Sequence, residues 1–154
     1  MNQALVNQAP LLRAMEPPDA RPCAWIDAAS QFASWNEVLF LESFQPGYHA
    51  WVLEEAGKVI GFMVFSPVLD EASLLNIAIA EHCRRRGLAR RLLEHGLAEC
   101  RARDATVVHL EVRQSNSAAI RLYEHFGFET VGYRKDYYPL KKGREAARLM
   151  LCKL

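Results

Sequence analysis

The chain has 154 residues, of which 51% are hydrophobic and 24% charged. This length and balance predict one globular domain, residues 1–154, whose core is large enough to form without disulfides. Nineteen basic and eighteen acidic residues leave a formal net charge of +1, which argues against a whole-domain polycation built for nucleic acid.

Cysteine spacing and hydropathy bear on the class of protein. The four cysteines, Cys23, Cys83, Cys100 and Cys152, lie far apart with no CxxC pair, so neither a zinc cluster nor a disulfide framework is indicated. No apolar run approaches the roughly 20 residues that span a bilayer, and residues 1–15 lack the pattern of a signal peptide. We therefore expect a cytoplasmic protein with free thiols, no metal and no membrane association.

The N-terminal half alternates between turn signals and short apolar segments. In chain order these predict a strand at 10–15, helices at 24–32 and 36–43, and strands at 49–54, 59–66 and 72–80. Gly57 marks a hairpin turn, and a second turn is predicted at 67–71. The near-continuous apolar run 74–79 is typical of a strand covered on both faces.

The C-terminal half begins with an amphipathic helix at 88–103, whose Leu and Cys residues recur every three or four positions. A strand follows at 107–113. The next helix has cap candidates at 115–117 and ends at Gly127, a favourable C-terminal cap. Two closing strands are predicted at 129–138 and 146–153. The fold class is α+β, with a mostly antiparallel mixed sheet flanked by helices.

The turn before the first long helix has the features of an anion site. It contains Arg84, Arg85, Arg86, Gly87, Leu88, Ala89 and Arg90. A helix N-terminus exposes unpaired N–H groups, and small residues let a phosphate approach them. The spacing fits neither GxGxxG nor GxxxxGK[ST], so a diphosphate is favoured over a Rossmann cofactor or a P-loop nucleotide. A solvated basic helix start is the structural alternative.

The same arginine-rich turn also raises the question of RNA or DNA binding. Five of the eight residues 84–91 are arginine, and such runs bind phosphate backbones. The segment has no interleaved aromatic residues on which bases could stack. Nucleic acid is therefore not required as a partner, although contact with a ribosome or a phosphorylated cofactor is compatible with the charge.

Glu111 is a carboxylate in the middle of an apolar strand. Val108, Leu110 and Val112 should point to one face, and His109, Glu111 and Arg113 to the other. Burial among apolar neighbours would suit Glu111 to base chemistry near neutral pH. The alternative is a salt bridge to Arg113 or another arginine.

Asn116 and Tyr123 lie seven residues apart, which places them on one face of the last helix. A tyrosine hydroxyl there could donate a proton. The alternative is a core tyrosine whose hydroxyl reaches the rim.

These segments together resemble the GCN5-related N-acetyltransferase (GNAT) superfamily. The likeness rests on Arg-x-x-Gly-x-Ala at 84–89 after an apolar strand, and on the run Ser-Asn-Ser-Ala-Ala-Ile-Arg-Leu-Tyr-Glu at 115–124, followed by Gly127 and Phe128. It extends from about residue 49 to the C-terminus. Within the superfamily the chain most resembles the bacterial ribosomal-protein alanine N-acetyltransferases, through 69–72, 75–79, 110–113, 115–120 with 122–124, 137–139 and 143–145.

The resemblance implies acetyl-CoA as acetyl donor and a CoA-binding core at about 72–128. It implies that the backbone of Ile77, Ala78 and Ile79 lies beside the acetyl-pantetheine arm, that the turn 84–90 binds the diphosphate, and that Asn116 contacts CoA. It also implies Glu111 as general base and Tyr123 as the acid that protonates the thiolate. The implied acceptor is the N-terminal alanine of a small-subunit ribosomal protein, the eighteenth in the usual naming.

Two regions depart from the family pattern. The lead-in to the diphosphate turn, residues 80–83, lacks the usual acidic-Pro turn, and the N-terminal third matches weakly. Within that third, residues 32–40 with Trp35 resemble the segment that shapes the acceptor groove, and Tyr137 and Tyr138 either line that groove or form a surface aromatic pair. The alternatives are an acetyltransferase for a lysine or small amine, and a CoA-binding or ribosome-associated module without turnover.

Overall fold

The computed structural model describes residues 8–154. Within them the chain forms seven strands and four α-helices. The strands are β1 (Leu11–Ala14), β2 (His49–Glu55), β3 (Lys58–Val68), β4 (Glu71–Ile79), β5 (Val107–Arg113), β6 (Glu129–Pro139) and β7 (Arg144–Lys153); the helices are α1 (Ala20–Ser30), α2 (Glu37–Glu42), α3 (Leu88–Ala102) and α4 (Ser117–His125). No helix in this part of the chain is long and apolar enough to cross a membrane.

The strands form one mixed sheet in the order β1-β2-β3-β4-β5-β7-β6. β1 pairs antiparallel with β2, and β7 pairs antiparallel with both β5 and β6. β4 and β5 are parallel, because α3 connects them as a crossover helix. The predicted α+β class, a mostly antiparallel mixed sheet flanked by helices, is confirmed.

The chain divides into two compact units. One contains the residues up to Val64 together with Asn76–Leu92, and the other contains Phe65–Leu75 and Leu93–Leu154. The single domain over residues 1–154, with a CoA-binding core at 72–128, stays a prediction.

The N-terminal unit has its core along β3. Positions 60–64 of this strand, the part that belongs to this unit, are buried without interruption, which is the pattern of a strand covered on both faces. Phe62 is fully buried and packs edge-on against Phe40 of α2, with ring centroids 4.9 Å apart. The turn into β3 has positive φ at Ala56 and Gly57, as a two-residue hairpin turn requires.

The C-terminal unit is organised by the alternation of β5. Val108, Leu110 and Val112 are at most 5% exposed, so this face of the strand faces the core as predicted. α4 begins after Asn116, whose side-chain oxygen accepts a hydrogen bond from the Ala119 amide at 3.2 Å. Gly127 follows the helix with φ of 93°, the left-handed conformation that a C-terminal cap favours.

Three predicted elements need correction. α1 begins at Ala20, four residues earlier than predicted, because Pro22 lies in the first turn, where a helix makes no use of that N–H. Pro67 lies inside the end of β3 rather than in a turn, a position that proline tolerates. β4 is not covered on both faces, since Leu75 is 39% exposed.

Candidate active site

The segment Ile77–Ala78–Ile79 forms the end of β4, in the N-terminal unit. Gly61 of β3 backs it so closely that a Cβ there would come within 2.6 Å of Ile79 Cδ1 and 3.3 Å of the Ala78 carbonyl oxygen. The Ala80 amide continues this contact by donating to the Ile60 carbonyl at 2.8 Å. The absence of a side chain at Gly61 therefore allows the end of β4 to approach β3 this closely.

β4 is longer than its ladder with β5. The parallel register runs over four pairs, from Glu71 with Val107 to Leu74 with Leu110, whereas β4 continues to Ile79. Ile77 and Ala78 are half-buried. Strand backbone outside a ladder can hydrogen-bond an extended ligand.

The lead-in to the arginine turn is a short 3₁₀ helix, Glu81–Cys83, in which the Cys83 amide donates to the Ala80 carbonyl at 2.8 Å. Arg85 and Gly87 both have positive φ, 63° and 72°. The first helical bond of α3 runs from the Arg91 amide to the Gly87 carbonyl at 3.1 Å. The amides of residues 88–90 therefore lie in the turn whose N–H groups have no intrahelical acceptor, where an anion binds.

Several arginines in and next to this turn bond other segments of the unit. Arg84 donates to the Ile79 carbonyl at 3.3 Å and to the Ser30 hydroxyl at 3.2 Å. Arg86 forms a two-pronged ion pair with Glu55, at 3.0 and 2.5 Å, and this hydrogen bonding lowers the pKa of the Glu55 carboxyl. Arg91 bonds the Pro10 carbonyl. The guanidinium groups of Arg84 and Arg86 therefore help to position the turn.

Replacing Gly87 with alanine tests the left-handed turn. A Cβ at this position meets nothing within 4 Å, so the cost is conformational and should be about 1 to 2 kcal/mol. We expect a correspondingly lower unfolding temperature and a higher KM for acetyl-CoA, measured by thermal denaturation and steady-state kinetics. The same change at Gly96, inside α3, is the control and should not raise the KM. Equal KM values for Gly87→Ala and the wild type would contradict the role of this turn.

In the C-terminal unit, Glu111 lies on the exposed face of β5. Its carboxylate forms an ion pair with Arg134 at 3.4 Å, and the side chain is 32% exposed. The predicted burial of Glu111 is therefore wrong, because only the opposite face of β5 is covered. The alternative of a salt bridge to an arginine is correct, with Arg134 as the partner.

Three tyrosines near Glu111 have raised pKa values. The hydrogen bond to Glu111 and its charge raise the pKa of Tyr137. Burial, followed by the charges of Glu111 and Tyr137, raises the pKa of Tyr138 to about 12. Burial and then Tyr138 raise the pKa of Tyr123, which is 6% exposed. Tyr138 therefore lies close to both Glu111 and Tyr123.

An irregularity in β6 places the two adjacent tyrosines. Between Arg134 and Tyr138 the strand advances four positions while its partner β7 advances two, from Ala147 to Glu145. Asp136 adopts φ of 51° there, and such bulges redirect side chains. The rings of Tyr137 and Tyr138 meet edge-on with centroids 5.0 Å apart.

A second ion pair fixes the end of β5. Arg113 donates to Glu145 at 3.1 Å and lies over the Tyr138 ring, 4.6 Å from its centroid. Burial raises the pKa of Glu145, but hydrogen bonds from Ser115 and Arg113 outweigh it and the net pKa is lowered. These contacts hold the loop before α4 and orient Tyr138.

The spacing predicts that Asn116 and Tyr123 lie on one face of the same helix, but only Tyr123 lies within α4. Asn116 precedes α4 with ψ of 71°, so its exposed side chain follows cap geometry and not the helical period. Tyr123 is buried, with its ring centroid 5.7 Å from that of Phe128. The contact of Asn116 with CoA stays a prediction, since its side-chain oxygen serves the helix cap.

Sequence reasoning missed Arg134 and Asp27, and it noted Glu145 only within the family-like segment 143–145, without a role. Asp27 is buried in α1 at 1% exposure. Its position beside Ile26 and four residues after Cys23, both buried, was the available signal, because a carboxylate on an apolar helical stripe needs partners. Arg134 had no comparable signal.

Known proteins with similar sequences identify the family. Residues 12–128 match the model of the acetyltransferase (GNAT) family. This chain belongs to the GNAT family. The [ribosomal protein bS18]-alanine N-acetyltransferase of Escherichia coli K12 is 38% identical over 139 residues, covering 90% of this chain and 94% of that one. A putative enzyme of the same name from Bacillus subtilis is 35% identical, covering 73% and 76%.

Solved GNAT structures agree in fold. The crystal structure of the ribosomal-protein-S18-alanine N-acetyltransferase from Escherichia coli has a TM-score of 0.88 and 37% identity, covering 94% of this chain and 93% of that one. Ard1 from Thermoplasma volcanium has a TM-score of 0.85 and 29% identity, covering 96% and 99%. This GNAT protein is therefore an acetyl-CoA-dependent N-acetyltransferase.

Proposed function

We propose that the chain transfers the acetyl group of acetyl-CoA to the α-amine of an N-terminal alanine, in a small-subunit ribosomal protein. Relatives that carry this activity in their names support the acceptor. The observation that carries the chemistry is that β5 presents the carboxylate of Glu111, whose side chain is 32% exposed, while α4 of the same unit contains the buried Tyr123. The C-terminal unit therefore contains both a proton acceptor and a proton donor.

In this proposal the N-terminal unit holds the donor. The backbone of Ile77, Ala78 and Ile79 bonds the pantetheine arm and polarises the thioester carbonyl. The diphosphate lies against the first turn of α3, with Arg85, Gly87, Leu88, Ala89 and Arg90 around it. Arg84 and Arg86 contribute charge while they hold the turn through Ile79, Ser30 and Glu55. Asn116 is a further proposed CoA contact.

Glu111 is the proposed base, acting directly or through one water. Its partly exposed position suits an acceptor that loses its proton readily. An α-amine titrates near 8 and a lysine near 10.4, so deprotonating the α-amine costs about 3 kcal/mol less at neutral pH. The amine nitrogen then attacks the thioester carbonyl carbon, and the proton passes to Glu111.

Tyr123 is the proposed acid. Its hydroxyl is protonated at neutral pH, because a free tyrosine titrates near 10 and burial raises the pKa of Tyr123 further. As the carbon–sulfur bond breaks, Tyr123 donates this proton to the departing thiolate, which makes the thiolate a better leaving group. The step needs neither a metal nor a covalent nucleophile.

Mass-spectrometric acetylation tests the proposal. The protein and acetyl-CoA are offered an N-terminal peptide of the bS18-type ribosomal protein, the same peptide with a blocked N-terminus, and a peptide whose only amine is a lysine. We expect acetylation of the free α-amine alone. Acetylation of the lysine, or of a small polyamine in place of the peptides, would contradict the proposed acceptor and favour another branch of the family.

A further inference from the structure

A buried carboxylate joins three segments of the N-terminal unit. Asp27 of α1 is 1% exposed. Its Oδ2 accepts hydrogen bonds from the Trp35 amide at 2.8 Å and from the Asn76 side-chain amide at 3.1 Å, and its Oδ1 accepts one from Gln31 at 2.8 Å. Buried carboxylates are retained only with such compensation, so the three donors define one arrangement of the segments that carry them.

One joined segment precedes the β4 backbone that binds the donor in the proposed function, and the other belongs to residues 32–40, which the family resemblance assigns to the acceptor groove. Trp35 lies in the segment 32–36 before α2, and its ring packs on Phe40 with centroids 5.3 Å apart. Asn76 immediately precedes the β4 backbone that is proposed to bind acetyl-pantetheine. One helical turn after Asp27, the Ser30 hydroxyl accepts a bond from Arg84 of the diphosphate turn.

We propose that Asp27 is a positioning residue that fixes the segment 32–36 on β4 and so sets the affinity for the acceptor. The inference rests on the proposed function in one respect, that residues 32–40 contact the acceptor. At 1% exposure Asp27 offers no surface for contact with a substrate. It acts through the Trp35 amide and the Asn76 side chain, because both donate to the same carboxylate oxygen and this ties the segment to the strand.

The chain offers graded substitutions for the test. Asp27→Ala removes all three hydrogen bonds. Asp27→Asn keeps the oxygen that faces Trp35 and Asn76, and its new amide can bond Gln31 once the Gln31 amide rotates. Gln31→Ala is the matched control, because it removes one bond to Asp27 and leaves those to Trp35 and Asn76 intact. Asn76→Ala breaks only the link to β4.

The readouts are steady-state kinetics for each substrate and hydrogen exchange at the Trp35 amide. For Asp27→Ala we expect the KM of the acceptor to rise about 10-fold, with the KM of acetyl-CoA much less affected, and faster exchange at Trp35. Asn76→Ala should show the same split to a smaller degree. Asp27→Asn should restore acceptor affinity to near wild type, and Gln31→Ala should match the wild type.

Equal loss of acceptor affinity in Asp27→Asn and Asp27→Ala would overturn the proposal, as would unchanged exchange at Trp35. A uniform fall in thermal stability with unchanged KM values would assign Asp27 a purely structural role. If Asp27→Ala does not fold, Asn76→Ala decides between these outcomes. If the wild type acetylates an amine other than an N-terminal alanine, that amine is the acceptor in the kinetic measurements. Hydrogen exchange at the Trp35 amide needs no acceptor, so it tests independently whether Asp27 positions the segment 32–36.

Discussion

Glu111→Gln should lower kcat for the alanine peptide by about 100-fold, the lower range for loss of a general base. The glutamine keeps the size of the side chain and can still meet Arg134 and Tyr137, but it cannot take a proton from the amine. Because Glu111 is partly exposed, the KM for acetyl-CoA and the unfolding temperature should remain close to wild type. Steady-state kinetics at saturating peptide measure the effect.

Glu71→Gln is the matched control for this change. Glu71 is an exposed glutamate at the start of β4 that pairs with His109 at 3.2 Å, so its replacement removes the same charge at a place with no proposed role. It should retain full kcat. If Glu111→Gln and Tyr123→Phe both retain full activity under saturating peptide, the assignment of base and acid is wrong.

Phe62→Ala should lower the free energy of unfolding by about 3 to 5 kcal/mol, as expected for a large aromatic removed from a core. Phe62 is fully buried in β3 and packs edge-on against Phe40. The substitution removes this aromatic pair, and such pairs add about 1 kcal/mol beyond area burial. Since natural domains are stable by only about 5 to 15 kcal/mol, much of the total is at risk. Urea denaturation at equilibrium measures the loss.

Phe44→Ala provides the comparison, because Phe44 is 37% exposed and leaves a smaller cavity or none. Its free energy of unfolding should fall clearly less than that of Phe62→Ala. Phe62→Leu, which preserves most of the volume, should be intermediate. A loss below about 1 kcal/mol for Phe62→Ala would show that the core refills the space and that β3 does not carry the packing inferred for it.

Much of the fold follows from local signals. The bounds of β5 and the start of α3 match the predicted positions, because an alternating pattern and a three-to-four-residue repeat are each specific to one conformation. Asn116 and Gly127 delimit α4 through cap chemistry that acts over three or four residues. These features depend on neighbours along the chain and need no knowledge of the tertiary structure.

The surroundings of the candidate site could not be predicted in the same way. The alternation of β5 assigns Glu111 to the face opposite Val112, but it does not tell whether another layer covers that face. The two additional β6 positions before Tyr138 alter the register with β7 without any change in hydropathy. Asp27 depends on donors four, eight and 49 positions away, and the last of these distances has no local signature.

All four cysteines are free thiols and buried, Cys23 and Cys83 in one compact unit and Cys100 and Cys152 in the other. Burial raises the pKa of the thiols of Cys23, Cys100 and Cys152, and only a thiolate reacts with alkylating agents. Alkylation of the native protein must therefore wait for local opening. The alkylation rate of each cysteine, followed by mass spectrometry, therefore measures how often the structure around that cysteine opens. Acetyl-CoA should slow alkylation in whichever unit it stabilises.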